Sequence, residues 1–190
     1  MRLTTPRVPP ATPEEMEEDA RALLGVLSSK SGRVDNIFAT LARHPVFLKN
    51  FLVFGSHVLM TNTLPPRERE ILILRIGWLC QAEYEWGQHV EIGKRSGLSD
   101  EEIARITAGA DAPGWSELEA ALIRATDQLH GDAFIEDGTW AILSRYYNTR
   151  QLIDLVFTVG QYNMVSMALN TFGVQLDKRL SGFPGEPRSS

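Results

Sequence analysis

The feature that most constrains the fold is the segment from Arg67 to Cys80, which follows two prolines and reads REREILILRIGWLC. Pro65 and Pro66 can start a helix but cannot lie inside one. The run ILIL alone is also typical of a buried strand. The whole segment is too long for an ordinary strand, however, and no hairpin signal follows it. We therefore predict a helix that is buried in the core of a domain.

The rest of the chain also favours helices. Ser99 and Glu102 have the spacing of a capping box, and Thr-Pro-Glu-Glu at 12–15 resembles another helix start. No stretch shows the alternation of apolar and polar residues that is typical of a half-buried strand. We predict an all-α, single-domain bundle of about eight helices. Helical segments are expected near 12–27, 34–43, 45–60, 67–80, 82–96, 99–107, 116–129, 139–147 and 150–175.

Three segments are predicted along the chain. Residues 1–11 contain three prolines and no periodicity, so we expect an extended N-terminal arm. Residues 12–181 are expected to form the helical domain. The sequence GFPGEPRSS at 182–190 is rich in Gly, Pro and Ser, and it predicts a flexible tail.

Composition limits the class of protein. The chain has 190 residues, is 43% hydrophobic and has a net charge of -5, without a Lys/Arg cluster, so we expect no nucleic-acid partner. No uninterrupted apolar run is long enough to span a bilayer, and the N-terminus lacks the apolar region of a signal peptide. Cys80 is the single cysteine. A reducing, cytoplasmic location without membrane attachment is the simplest prediction.

The segment AEYEWGQH, directly after the apolar run, carries the candidate chemistry. Glu85 and His89 are four residues apart, so their side chains meet on one face of a helix. If this helix forms an antiparallel hairpin with the preceding one, Glu70 lies near His89. Burial raises the pKa of a carboxylic acid, and a nearby carboxylate raises that of an imidazole. We predict that these three residues form a proton relay, with Tyr84 as donor or orienter and Trp86 as a wall.

Simpler interpretations stay open for each of these residues. Glu85 and His89 could be only a surface i,i+4 pair, and Trp86 could be a core residue. Two ligands are too few for a structural zinc site, so no metal is expected. Tyr162 and Asn163 lie among apolar residues of the last helix and could line a pocket or an interface.

The longer stretch LPPREREILILRIGWLCQAEYEWGQHVEIGKRSGLSDEEI resembles the core motif of the carboxymuconolactone decarboxylase family, which includes alkylhydroperoxidase D. The shared pattern is R-x-R-E, an apolar run, Y-E-W-x-x-H and G-L-S-x-E-E-I. NIFATLARHP and QYNMVSMALNTFGVQLD extend the resemblance over about 30–177. It implies an all-α fold and a homo-oligomer: a dimer, trimer or hexamer.

One departure from the family matters for the reaction. Alkylhydroperoxidase D proteins carry C-x-x-C-x-x-x-H, and alignment on His89 places Ala82 and Glu85 at the two cysteine positions. A dithiol peroxidase cycle needs a second thiol to resolve the sulfenic acid, and Cys80 is alone. An alkylhydroperoxidase-like oxidoreductase is therefore a disfavoured alternative. A non-catalytic oligomeric helical protein is a further alternative.

The resemblance implies a decarboxylase-like enzyme without a cofactor. Its substrate would be a small carboxylated or lactone compound, and the protein must stabilise an enolate and protonate a carbon atom. His89 would donate the proton or bind the oxyanion, Glu85 would orient it or act as the acid, and Glu70 would complete the relay. Arg67 or Arg69 would bind a substrate carboxylate.

Overall fold

The computed structural model of the protein describes residues 2–27 and 34–184. Every regular element in these residues is helical, which confirms the predicted all-α fold. About eight helices were predicted, and the described residues form nine α-helices and one π-helical turn. They are α1 (Glu18–Leu27), α2 (Asn36–Leu41), α3 (Pro45–Ser56), the π-helical turn (His57–Thr61), α4 (Pro66–Leu79), α5 (Glu83–Arg95), α6 (Asp100–Ala108), α7 (Glu117–Asp132), α8 (Asp137–Tyr146) and α9 (Thr149–Phe172).

Helix α4 is the centre of the domain. Its residues from Arg69 to Gly77 are all buried, without interruption, and the helix contacts α5, α6, α7 and α9. A helix that is buried on every side needs apolar residues on every side. The apolar run in α4 is therefore a core helix and not a strand.

Helices α4 and α5 form a tight antiparallel hairpin. Gln81 adopts a left-handed φ of 52°, and the backbone N–H of Ala82 donates to the carbonyl of Gly77 at 2.9 Å. Gly77 allows close packing, since an added Cβ there would lie 3.6 Å from Cγ of Glu85. The hairpin brings the polar segment of α5 against the buried face of α4, as the spacing predicted.

The first helix begins later than predicted. Thr12 donates its N–H to Oε2 of Glu15 at 2.9 Å, so half of the expected capping box forms. Arg43 also binds Oε2 of Glu15 at 3.0 Å and the carbonyl of Pro9 at 2.7 Å. These contacts hold the segment as turns, and α1 begins only at Glu18.

The last helix is capped one residue earlier than predicted. The side-chain oxygen of Asn148, and not Thr149, accepts from the N–H groups of Arg150 and Gln151 at 3.0 and 3.2 Å. By length and composition α9 could cross a membrane, but core helices share this property. It packs against α4, α5, α7 and α8, which is the environment of a core helix.

The segment after α9 returns across the hairpin. The ring of Phe183 lies 5.1 Å from that of Trp78 and 5.7 Å from that of Trp86. Residues 182–184 were predicted to belong to a flexible tail, and here they contact the core. The rest of that predicted tail, 185–190, lies outside the described residues.

Candidate active site

A buried chain of charged groups joins α4 and α5. Nδ1 of His89 lies 2.7 Å from Oε2 of Glu70, and Nε2 lies 3.0 Å from Oε1 of Glu85. Nε of Arg69 donates to the other oxygen of Glu70 at 3.3 Å. His89, Glu70 and Glu85 are 5%, 0% and 4% exposed, so water does not screen these contacts. The structure brings the three predicted relay residues together.

The two carboxylates determine the charge of His89. Burial by itself lowers the pKa of the imidazole. The charge of Glu70 and the hydrogen bonds that the ring donates to both glutamates have the opposite effect, and together they raise this pKa to about 10. At neutral pH the ring is therefore an imidazolium whose two N–H groups both donate to carboxylates. His89 is consequently not a free base, and a proton can leave it only towards Glu70 or Glu85.

A cavity of about 290 Å³ lies beside this chain of charges. It is lined by residues of α2, α3, the π-helical turn, α5 and α9, together with Asp35 directly before α2, and its walls are mostly apolar. Glu85 and His89 line it, whereas Glu70 is fully buried behind them. Among the three relay groups, Glu85 is therefore the carboxylate that lies at the cavity. Its Oε1 is bound to the imidazolium of His89.

Tyr162 fixes the imidazole from the α9 side. Its ring lies 4.8 Å from that of His89 at an interplanar angle of 82°, an edge-to-face contact. Burial, reinforced by the charges of Glu85 and Glu70, raises the pKa of the Tyr162 hydroxyl, which therefore stays neutral. Of the two α9 candidates, Tyr162 lines the cavity, whereas Asn163 contacts Cys80 instead.

Tyr84 does not join the relay. It lines the cavity, but its hydroxyl donates to Oδ2 of Asp177 at 2.7 Å and accepts from Gln88 at 3.0 Å and from the N–H of Ile37 at 3.2 Å. Burial and the charge of Asp177 raise the pKa of this phenol. The structure thus pairs the Tyr84 hydroxyl with Asp177 and not with Glu70, Glu85 or His89, and a role of this phenol as donor or orienter stays a prediction.

The arginines predicted to bind substrate face other groups. Arg67 forms ion pairs with Glu102 and Glu119, on α6 and α7. Arg69 is 8% exposed and its Nε binds Glu70. Neither arginine is among the described residues that line the cavity, and no lysine or arginine is. The predicted cationic anchor for a substrate carboxylate is therefore absent from the described wall of this cavity.

Trp86 is a core residue and not a wall of the cavity. Its side chain is 2% exposed and packs between Trp78 and Phe183. This burial agrees with the simpler interpretation of Trp86, and the residue is not among the described residues that line the cavity.

Cys80 is separate from the candidate site. Its Sγ lies 3.0 Å from Oδ1 of Asn163 and 3.9 Å from Nδ1 of His130, at the end of α4. Burial raises the pKa of the thiol, which disfavours the reactive thiolate. Cys80 does not line the cavity.

Most of the residues that line the cavity were not predicted, and Gln161 and Gly55 are two of them. Gln161 is 4% exposed, and its Oε1 has no hydrogen-bond partner in the described part of the chain. Gly55 faces this amide, since an added Cβ would lie 3.8 Å from Nε2 of Gln161. The only sequence signal for Gln161 is a polar residue within an otherwise apolar segment of α9.

The described residues contain no group of three or more His, Cys, Asp or Glu side chains that could hold a metal ion. In the relay both imidazole nitrogens already bind carboxylates. The three relay side chains are therefore arranged to share protons with one another.

The model of the carboxymuconolactone decarboxylase family matches residues 45–128, which include α4, α5 and all three relay residues. The match confirms, over this segment, the resemblance that the sequence indicated. No curated protein matches the chain significantly.

Solved structures of the alkylhydroperoxidase D fold resemble the whole domain. An uncharacterised peroxidase-related protein from Ralstonia eutropha with an AhpD core is 16% identical, with a TM-score of 0.79, over 90% of this chain and 92% of that one. A peroxidase-related protein from a Silicibacter species is 14% identical, with a TM-score of 0.78, over 92% and 95% of the two chains.

The debrominase Bmp8, in complex with 2,3,4-tribromopyrrole, is 14% identical, with a TM-score of 0.71, over 92% and 93% of the two chains. At these identities the likeness shows the fold alone. The carboxymuconolactone decarboxylase family and this fold support a function at the level of the family, without fixing one reaction.

Proposed function

We propose that this member of the carboxymuconolactone decarboxylase family is an enzyme that transfers a proton to or from a carbon atom next to a carbonyl group, without a cofactor. The observation that carries the proposal is the carboxylate of Glu85, which lines the cavity while its Oε1 accepts a hydrogen bond from the His89 imidazolium at 3.0 Å. In this pair the carboxylate can take a proton from a molecule in the cavity, while the His89 imidazolium keeps both of its own protons.

In the forward step Glu85 takes a proton from the carbon atom next to the carbonyl. The electron pair of the broken C–H bond forms the enolate double bond, and the carbonyl oxygen takes the negative charge. Once Glu85 is protonated, its carboxylate no longer balances the imidazolium of His89, and this positive charge stabilises the enolate in surroundings of low polarity. Glu85 then returns the proton to another carbon of the conjugated system, which completes an isomerisation. Decarboxylation is the second form of the same chemistry, because loss of carbon dioxide leaves an equivalent enolate.

Glu70 and Arg69 support the relay from behind. Glu70 is fully buried and holds Nδ1 of His89 at 2.7 Å, so it keeps the ring oriented and charged. Arg69 in turn binds Glu70 at 3.3 Å. In this proposal Glu70 is a positioning residue, and Glu85 is the catalytic residue that meets the substrate.

The oxidoreductase alternative has less support. The chain has one cysteine, and that thiol lies outside the cavity with a pKa raised by burial. A non-catalytic role leaves no reason for a buried, water-excluded relay next to a cavity, since a buried ion pair is a weak source of stability.

We retain a cytoplasmic location and a homo-oligomer as parts of the proposal. Self-association is supported by an exposed apolar stripe on α9, where Ile153, Phe157 and Met167 are 51%, 55% and 59% exposed.

The test uses α-angelica lactone, a small β,γ-unsaturated lactone whose isomerisation to the conjugated form raises its ultraviolet absorbance. We expect the protein to accelerate this reaction and Glu85→Gln to slow it by about 100-fold or more, because the base is lost. Glu91→Gln is the control, since Glu91 is an exposed carboxylate on the same helix. Equal rates for the wild type and Glu85→Gln would remove the proposal.

A further inference from the structure

We propose that the substrate of this cavity is an uncharged compound of one or two rings that is recognised by the side-chain amide of Gln161. The inference rests on the proposed function, because it takes the cavity beside Glu85 as the substrate site. It narrows the substrate class, which the sequence left as either carboxylated or lactone-like.

The charges of the cavity disfavour an anion. The titratable lining groups include Asp35, Glu85 and His89, and none of the described lining residues is a lysine or an arginine. His89 carries the positive charge, but both of its N–H groups donate to carboxylates. A carboxylate in this cavity would therefore meet Glu85 without a free cation, and burying an unpaired charge is very unfavourable.

The cation that pairs with Asp35, Arg179, has a second partner as well. Arg179 holds Oδ1 of Asp35 at 2.8 Å and Oε1 of Gln88 at 2.9 Å. It compensates the charge of Asp35 and is not itself a lining residue. Both ends of the Gln88 amide are therefore paired, since its Oε1 accepts from Arg179 and its Nε2 donates to Tyr84 and Asp177 at 3.0 Å each.

Gln161 is different from these committed groups. It lines the cavity from α9 and is 4% exposed, yet its Oε1 accepts no hydrogen bond within the described residues. A buried polar atom without a partner is costly, so a ligand that supplies the partner gains affinity. Half a turn of the amide group exchanges its oxygen and nitrogen, so it can pair with both a donor and an acceptor.

The space opposite the amide fits a ligand. Gly55 on α3 presents no side chain there, and an added Cβ would lie 3.8 Å from Nε2 of Gln161. The cavity of about 290 Å³ is at the lower end of the range for small-molecule sites. A planar ring compound with a carbonyl group, such as a lactone, a lactam or an amide, matches this volume and this polarity. The inference thus favours proton transfer on an uncharged compound over decarboxylation, whose substrate carries a carboxylate.

The experiment compares two isosteric probes, benzamide and benzoate, by ligand-detected NMR titration at pH 7.5. We expect benzamide to bind at least tenfold more tightly than benzoate. Gln161→Met keeps the length and apolar volume of the side chain but removes the amide. This variant should bind benzamide about tenfold more weakly than the wild type does, and its affinity for toluene should be unchanged.

A pair of glycine variants tests the location. Gly55→Ala adds a methyl group in ordinary contact with the Gln161 amide, so the fold is kept while the cavity shrinks, and benzamide should bind about tenfold more weakly. Gly160→Ala is the matched control, because an added Cβ at that exposed helical position meets nothing within 4 Å. Its benzamide affinity should equal that of the wild type.

Benzoate binding as tight as benzamide, or benzamide affinity that is unchanged in Gln161→Met, would overturn the inference. Failure of benzamide to bind the wild type would do the same. None of these readouts depends on turnover. If the binding pattern holds while Glu85→Gln isomerises the lactone at the wild-type rate, the recognition by Gln161 stands and the proton-transfer proposal falls.

Discussion

Helix α4 carries two charged clusters on different faces, and they differ in what their charges contact. Arg75 binds Asp127 in a bidentate pair at 2.6 and 3.0 Å, and it donates to the carbonyls of Ile106 and Thr107 at 2.8 and 3.2 Å. This cluster joins α4 to α6 and α7. The Glu70–His89–Glu85 relay joins α4 to α5 instead, and it ends at a cavity.

The difference separates a structural cluster from a candidate active site. The guanidinium of Arg75 cannot lose its proton, so its contacts can only hold helices together. The imidazole of His89 can release a proton to either glutamate, and Glu85 can pass that proton to a molecule in the cavity. Burial and ion pairing are common to both clusters; a titratable centre and an adjacent space belong only to the relay.

The largest expected effect comes from His89→Leu. Removing the imidazolium leaves two buried carboxylates without a cation between them, which should lower the free energy of unfolding by about 3–5 kcal/mol. Urea denaturation at pH 7 measures this loss. Glu91→Gln, at an exposed site, is the control, and a loss under about 1 kcal/mol for His89→Leu would mean that the relay is not ionised.

The pH dependence of stability at the same residue sharpens the comparison. Folding raises the pKa of His89 from 6.5 to about 10, so its stabilisation is fully present below pH 6.5 and is lost as the pH rises through 10. The stability difference between the wild type and a His89→Gln variant should therefore shrink between pH 7 and 10. Arg75 should give no such dependence, so a flat difference for His89 would contradict the distinction between the clusters.

Arg75→Met should give the next largest loss, about 1–3 kcal/mol, since Asp127 loses its bidentate partner and two helix-end carbonyls lose a donor. This loss of stability is smaller than that expected for His89→Leu, because the Asp127 side chain is 35% exposed and water can solvate its carboxylate. Lactone isomerisation by the folded variant should stay within twofold of the wild type. A 100-fold loss of turnover in a variant that remains folded would show that this cluster serves the reaction too.

Tyr84→Phe tests whether the phenol belongs to the relay. The hydroxyl donates to Asp177 at 2.7 Å, so its loss should lower the free energy of unfolding by about 1–2 kcal/mol. Turnover should remain above half of the wild-type value. Unchanged stability with a 100-fold slower reaction would restore Tyr84 as a catalytic residue.

Cys80→Ser should have the smallest effect. The thiol is half-buried at the end of α4, outside the cavity, and serine keeps a donor for Asn163. We expect a stability change within about 0.5 kcal/mol and unchanged isomerisation. Peroxide consumption by the wild type that disappears in Cys80→Ser would instead support the oxidoreductase alternative.

The sequence predicted the relay contacts because they are local. Glu85 and His89 are one helical turn apart, and the short link from α4 to α5 leaves few ways to place Glu70 other than beside them. The roles that the structure does not support depend on segments that are distant in the sequence. Arg67 is held by Glu102 and Glu119, and these partners could not be identified before α6 and α7 were placed.

The contacts and lining residues that were missed at the cavity also depend on distant segments. The partner of Tyr84 is Asp177, 93 residues away, so no spacing rule could link them. Gln161 lies in an apolar stretch of α9, and only the packing of α3 against α9 turns it into a lining residue. The boundary of α1 also depends on a distant residue, because Arg43 binds Oε2 of Glu15 and the carbonyl of Pro9.

The most direct test of the account is the protonation state of His89 in the folded protein, measured by the ¹⁵N chemical shifts of its imidazole between pH 5 and 11. The account predicts that both ring nitrogens carry protons through pH 8 and that the ring loses a proton only near pH 10. A titration near pH 6.5, or a neutral ring at pH 7, would contradict the proposed relay.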